Sequence, residues 1–254
     1  MSGSTVKAFE LLSYLSRAGG AVTLARISRE TGWDKATALR YLGSLAEAGA
    51  VEKRENGWVL GLALIELASR VPVSENVAAR ARPVLERLAR ETGETINLGS
   101  WSNGGAYYLA KADGGRNLRL RTSPGDRLPL HCTAVGKAIL ATLDAAYLED
   151  FLQQAPYPRL TPATITEAAA FREEIGQVRS VGYAMDREEY EPGLVCIAVP
   201  VEIPDLGFLG AVSVSGPSVR MRDPFGSILD LLRAASRDIV VAVTSAQNPE
   251  SGEE

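Results

Sequence analysis

The segment TLARISRETGWDKATALRYLGSLAEAG, residues 23–49, constrains the backbone more than any other stretch of the chain. Thr23 is a helix N-cap residue and Gly32 a helix stop; Asp34 is a second N-cap and Gly49 a second stop. The spacing predicts one short helix ending at Gly32 and another from about Lys35 to Ala48. Two helices joined by so tight a turn predict a helix-turn-helix. At the helical period, Ala38, Leu39, Leu42, Leu45 and Ala46 share the face expected to meet the core. Ala36, Thr37, Arg40, Tyr41 and Ser44 fall on the other.

That second face has the chemistry of a recognition helix. Arg40 can give two hydrogen bonds to a guanine edge, Thr37 can touch a base or a phosphate, and small Ala36 lets the backbone come close. Lys35 and Tyr41 flank the same face, whose N-terminal half would lead into a major groove. Downstream, VEKRENGWVL (residues 51–60) predicts a hairpin with Asn56-Gly57 at the tip of a wing. Lys53 and Arg54 are then available to backbone phosphates. The alternative is an ordinary amphipathic surface helix followed by a hairpin.

Charge narrows the function classes. The chain of 254 residues has a formal net charge of -4, which excludes a polycationic nucleic-acid coat. The imbalance is regional: residues 1–72 hold 9 Lys+Arg against 7 Asp+Glu, and the remainder 18 against 24. A mild local excess suits a contact patch. The N-terminus lacks a signal-peptide pattern, and no apolar run reaches the roughly 18 residues of a membrane span. A cytoplasmic protein with no membrane partner is expected. Two cysteines and one histidine make neither a structural disulfide nor a zinc set, so no metal and no cofactor are expected.

Along the chain, residues 4–18 carry apolar residues at helical spacing before Gly19-Gly20. LALIELASRV and NVAARARPVLERLARETG read as linker helices interrupted near Pro72 and Ser74. TINLGSW, GAYYLAKA and NLRLRTS read as strands, followed by two helices around residues 133–153 and a third around 166–180. LVCIAVPVEI and FLGAVSVSG are further strands, and a long helix near 224–245 closes the pattern. An α+β chain is expected: a winged helix-turn-helix unit with the start of a linker over residues 1–72, a linker helix over 73–94, an α/β or α+β domain over 95–246, and a disordered tail over 247–254.

These segments resemble the IclR-type bacterial transcriptional regulators over about residues 4–245. TGWDKATALRYL is similar to the family's helix-turn-helix pattern at Gly32, Lys35, Thr37, Arg40 and Leu42; Trp33 and Asp34 stand where Leu and Pro are usual. GYAMDREEYEPGLVCIAVPV (residues 182–201) is similar to the family signature at Gly182, Asp186, Glu189 and Cys196. It ends in Glu202-Ile203 where the signature has an aromatic or His followed by Asp or Asn. LPLHCTAVGKAILA and AVSVSGPSVR resemble segments that line the family's effector pocket. The resemblance implies a winged helix-turn-helix joined to a GAF-like domain, double-stranded operator DNA and a small organic acid as partners, and assembly as a dimer or dimer of dimers. It places Leu128, Ala134, Val135, Asp186, Leu194, Cys196, Ser213 and Ser215 at the ligand.

The residues support part of that set on their own. Ser213 and Ser215 lie two apart on a strand, so their hydroxyls share a face and need partners, either a polar ligand or neighbouring backbone. HCTAVGKA opens a helix whose N–H groups near Thr133 to Gly136 can hold a carboxylate, unless the helix is simply capped. Asp186 would repel an acid but accept from a hydroxyl. Leu118 and Leu120 alternate with Arg119 and Arg121, so leucines facing a pocket leave the arginines facing away. Two other function classes remain on the sequence. His131, Cys132 and Asp186 are the residue types of a cysteine-dependent enzyme, though adjacent residues rarely point at each other and there is no second histidine to act as base. A partner-binding protein using the helix-turn-helix for dimerisation, without ligand, is the third.

Overall fold

The computed structural model describes residues 3–68, 72–102, 104–115, 122–221 and 225–245. It divides into two compact units, residues 1–72 and 73–254. The expected strand NLRLRTS and the tail over 247–254 fall wholly or mainly outside the described residues.

In the first unit, α1 (Ser4–Ala18), α2 (Leu24–Thr31) and α3 (Lys35–Glu47) precede an antiparallel hairpin of β1 (Val51–Arg54) and β2 (Gly57–Leu60) and a short α4 (Ala63–Ala68). The caps act as expected: the Thr23 hydroxyl accepts from the Arg26 N–H, and Asp34 Oδ1 accepts from the Thr37 N–H at 2.8 Å. Gly32 and Gly49 adopt left-handed φ of 72° and 69°. Leu11, Leu15, Val22, Ile27, Ala38, Leu42, Val51 and Trp58 form the core.

Two expectations for this unit need correction. Leu39 is 50% exposed, whereas Tyr41 packs partly against the core. The buried stripe of α3 is centred on Ala38, Leu42 and Leu45, and a rotation of 100° per residue carries Leu39 further from that centre than Tyr41. In the hairpin Arg54 pairs with Gly57, so Glu55-Asn56 is the turn and Gly57 opens β2. Gly57 serves a different purpose from a tip residue. Its φ is 141°, and a Cβ there would lie 2.6 Å from the Val22 carbonyl. The Val22 backbone exchanges two hydrogen bonds with Trp58, at 2.8 and 2.9 Å, adding a third short segment to the hairpin.

From Val73 on, α5 (Pro72–Thr92) belongs to the second unit. The two expected linker helices are separate, with the break just before Pro72: α4 ends at Ala68 and Pro72 is the first residue of α5, where a missing N–H costs nothing, the helix then running on through Ser74. Six strands form a wholly antiparallel sheet in the order β5-β4-β3-β8-β7-β6. They are β3 (Thr95–Ser102), β4 (Gly105–Ala112), β5 (Arg127–Leu128), β6 (Ala184–Arg187), β7 (Leu194–Ile203) and β8 (Phe208–Pro217). Between β5 and β6 lie α6 (Ala134–Thr142), α7 (Ala145–Leu152) and α8 (Ala168–Val181); α9 (Ser218–Met221) and α10 (Phe225–Thr244) follow β8.

Period-2 alternation sorts the two sheet faces. Ile96, Leu98, Ile197, Val199, Val212 and Val214 pack with Leu85 and Leu88 of α5 and Leu232 and Ile239 of α10. On the opposite face, Cys196, Ala198 and Ala211 meet Ala134, Val135, Ala138 and Ile139 of α6. α6 lies close because β3 presents Gly99 beneath it, where a Cβ would stand 2.4 Å from Val135 Cγ1. Aligned on the α6 side are Thr95, Asn97, Ser213 and Ser215, all buried.

Candidate DNA interface and effector pocket

On α3, Lys35, Ala36 and Arg40 are exposed and Thr37 and Tyr41 half-buried. Thr37 Oγ1 donates to Asp34 Oδ2 at 2.7 Å, so its proton is committed to the cap and its oxygen is left to accept. That favours a base donor over a phosphate. The Arg40 guanidinium lies 5.1 Å from the Tyr41 ring, and Tyr41 in turn sits 5.4 Å from Trp33. An aromatic shelf thus steers Arg40 while leaving its donors in solvent. In the wing, Lys53 and Arg54 are exposed, and Arg54 makes a surface ion pair with Glu52 at 3.4 Å, weak enough to exchange for a phosphate.

In the second unit, a small cavity of about 10 Å³ lies between the sheet and the N-terminus of α6. Of the nine sequence-predicted effector residues, eight line it: Thr133, Ala134, Val135, Asp186, Leu194, Cys196, Ser213 and Ser215. Leu128 is buried in the same apolar cluster but backs the wall instead of lining it. Tyr108, Thr122 and Tyr190 also line the cavity, and sequence reasoning missed them. For the two tyrosines the signal was weak. Tyr107 and Tyr108 point to opposite faces of β4, and the register shift between Leu98 and Gly99 on β3 hides which one faces inward. Leu118 and Leu120 lie outside the described residues.

Thr133 caps α6, its hydroxyl accepting from the Gly136 N–H at 3.1 Å and donating to the Pro129 carbonyl at 2.6 Å. The Gly136 amide is therefore spent, which narrows the expected anion cradle to the Ala134 and Val135 amides. Neither has an i−4 partner inside the helix. Thr122 Oγ1 donates to Asn97 Oδ1 at 3.2 Å.

Asp186 is 1% exposed. Its Oδ1 accepts from the Glu189 and Tyr190 N–H groups at 2.7 and 3.3 Å, while Oδ2 is buried without a hydrogen-bond partner. Burial, with the neighbouring Glu189 charge adding to it, pushes this carboxyl up to about 7 against the pull of the two amides. Behind it, fully buried Lys137 divides its ammonium between Glu189 Oε1 at 2.7 Å and Glu174 Oε1 at 2.8 Å. A single lysine in the otherwise apolar run AVGKAIL was the available sign of a buried charge cluster. Glu189 was visible as a signature residue, without a partner.

Nothing here activates a nucleophile. Burial pushes the Cys132 thiol up to about 12 and raises that of Cys196 well above its ordinary value. His131 Nε2 lies 3.0 Å from the Pro158 carbonyl, its ring stacks on Tyr157, and burial lowers its basicity. His131 and Cys132 serve structure, and Cys196 lines the cavity.

A winged helix-turn-helix unit followed by a sheet unit enclosing a polar, buried pocket defines a ligand-binding transcriptional regulator. Residues 4–55 match the IclR helix-turn-helix domain, and residues 70–241 match the bacterial transcriptional regulator IclR C-terminal domain. The chain belongs to the IclR family of bacterial transcriptional regulators, which is not a family of enzymes. It is 34% identical over 238 residues to the HTH-type transcriptional regulator BhcR of Paracoccus denitrificans, covering 92% of this chain and 84% of that one. A regulator structure from Silicibacter sp. TM1040 superposes with a TM-score of 0.78 at 32% identity, over 95% of this chain and 96% of that one. An IclR homologue from Microbacterium hydrocarbonoxydans, complexed with 4-hydroxybenzoate, shares the fold with a TM-score of 0.77 at 23% identity, over 92% and 99% of the two chains. No helix among the described residues is long and apolar enough to cross a membrane.

Proposed function

We propose that the chain is a cytoplasmic regulator of a catabolic operon, binding a near-palindromic operator as a dimer or dimer of dimers. A small hydroxylated organic acid, aromatic or aliphatic, sets its DNA affinity. The observation that carries the effector class is the buried, unpartnered Asp186 Oδ2 in a cavity that also holds the first amides of α6 and two serines. The amides and the Ser213 and Ser215 hydroxyls take the carboxylate, and Asp186 takes the hydroxyl. The 4-hydroxybenzoate held by the Microbacterium relative is an acid of this class. Exposed Phe9 (67%), Leu62 (72%), Ile65 (66%) and Leu67 (68%) in the first unit support self-association through that unit.

A thermal-shift screen of organic acids finds the effector, since a ligand of the native state raises the melting temperature by mass action. Calorimetry on the hydroxylated acid and its deoxy analogue then tests the pocket. The deoxy acid leaves Asp186 unpaired and binds more weakly by roughly 1–3 kcal/mol. Asp186→Ala erases that preference while the free protein keeps its operator affinity. Full discrimination by the variant means that Asp186 is not the hydroxyl partner.

A further inference from the structure

The charges around Asp186 do not balance. From its own turn it faces Glu189 and Tyr190; from the segment entering α6 and from α6 itself, Cys132 and Lys137; from β4, Tyr108; and from β7, Cys196. Glu174 of α8 is tied to the cluster through Lys137, and Arg187 turns outward to reach Glu174 at 3.4 Å. Three carboxylates therefore surround one buried lysine, whose ammonium is already shared between Glu189 and Glu174. Two carboxylate oxygens, Asp186 Oδ2 and Glu189 Oε2, are buried with no hydrogen-bond partner. A buried, unpartnered carboxylate oxygen is relieved either by a proton of its own or by a donor from a bound molecule. Asp186 is the one of the pair that also lines the cavity.

We propose that effector binding is coupled to the proton on Asp186, so that the same pocket takes hydroxy acids by releasing a proton and oxo acids by taking one up. The inference rests on the acid-effector reading above and adds the regulation of that site. With a hydroxy acid, the Asp186 carboxyl loses its proton to solvent and the carboxylate accepts from the ligand hydroxyl. With an oxo acid, the carboxylate gains a proton from solvent and the carboxyl donates to the ligand carbonyl. No bond other than these O–H bonds forms or breaks. Burial holds the Asp186 carboxyl at about 7, so both forms are available at neutral pH. The sign follows from that value: raising pH favours the acceptor form and hydroxy acids, and lowering it favours the donor form and oxo acids. For one proton with a midpoint near 7, affinity for a hydroxy acid rises about tenfold from pH 6 to pH 8 and that for the matched oxo acid falls about tenfold. The preference between the two thus swings by about a hundredfold.

The test uses the full chain with two matched pairs, lactate with pyruvate and 4-hydroxybenzoate with 4-formylbenzoate. Calorimetry at pH 6, 7 and 8 in buffers of low and high ionisation enthalpy reads both the affinity and the protons exchanged. Release with the hydroxy acid of a pair, uptake with its oxo partner and opposite pH slopes are expected. Asp186→Asn flattens both profiles. Glu189→Gln keeps an acceptor for Lys137 while removing the charge beside Asp186, so it moves the midpoint of both profiles to lower pH, which a purely structural role for Glu189 would not do. Binding that needs Asp186 but is independent of pH and buffer overturns the proton coupling and leaves the pocket reading standing. A pH profile that persists in Asp186→Asn also overturns it, because the proton is then elsewhere. If none of the four acids binds, the acid-effector reading itself fails and the coupling falls with it.

Discussion

At the scale of single residues, the DNA-facing helix depends on how Arg40 is held. The guanidinium rests over Tyr41, which is itself propped by Trp33, so the side chain reaches solvent already ordered. Less rotamer freedom is then lost when its planar fork meets a base edge. Arg40→Ala is expected to cost about 1–3 kcal/mol of operator binding and to relax sequence preference at one position of each half-site. Binding measured across a panel of single-base operator variants checks this; a wild-type preference profile in the variant removes Arg40 from base reading. Trp33 stands where the related helix-turn-helix pattern has leucine, and the ring contact with Tyr41 is the physical use of that change.

At the scale of elements, the wing owes its position to a glycine that the hairpin turn does not use. Gly57 lets the Val22 backbone cross β2, and any side chain there meets that backbone at 2.6 Å. Gly57→Ala is expected to destabilise the first unit by about 2 kcal/mol or more, seen as an earlier first transition in denaturant. An unchanged transition would mean that the bridge to Val22 contributes nothing. Lys53→Ala and Arg54→Ala act differently, weakening binding to all sequences and lowering the salt slope by about one phosphate contact each. The helices of this chain were legible because their signals are local: Thr23, Asp34 and Thr133 each cap their helix within three residues of sequence. The two longest strands, β7 and β8, showed in their apolar runs. Arg127–Leu128 and Ala184–Arg187 were not found as strands, since two or four residues hold too little periodicity and depend on a neighbour for their hydrogen bonds. The pocket was legible where a strand or a helix start imposed it, at Ser213, Ser215 and Thr133 to Val135. Tyr108, Tyr190 and the Lys137 cluster were not, because they come together only through pairings distant in sequence.

At the scale of the whole molecule, the question is what covers the apolar side chains of the first unit. Phe9 on α1 and Leu62, Ile65 and Leu67 around α4 are all more than 60% exposed. We propose that a second copy covers them; a dimer that reads two half-sites needs its recognition helices one helical turn of DNA apart, roughly 34 Å, or a multiple of it. Phe9→Glu combined with Ile65→Glu is expected to shift the sedimenting species to half the wild-type mass and to reduce affinity for a two-site operator by far more than for a single half-site. A variant of unchanged mass and unchanged operator affinity assigns self-association to other surfaces.

The pairing of β3 with β8 also sets an order of events during synthesis. Thr95 lies against Ser215 and Ser100 against Gly210, so the middle of the sheet joins residues more than a hundred positions apart in the chain. The first unit, by contrast, finds its partners within residues 1–72. On the ribosome the DNA-reading unit can therefore close while the sheet still waits for its central strand. A nascent chain stalled before β8 would already carry its recognition helix, with no finished pocket to answer for it.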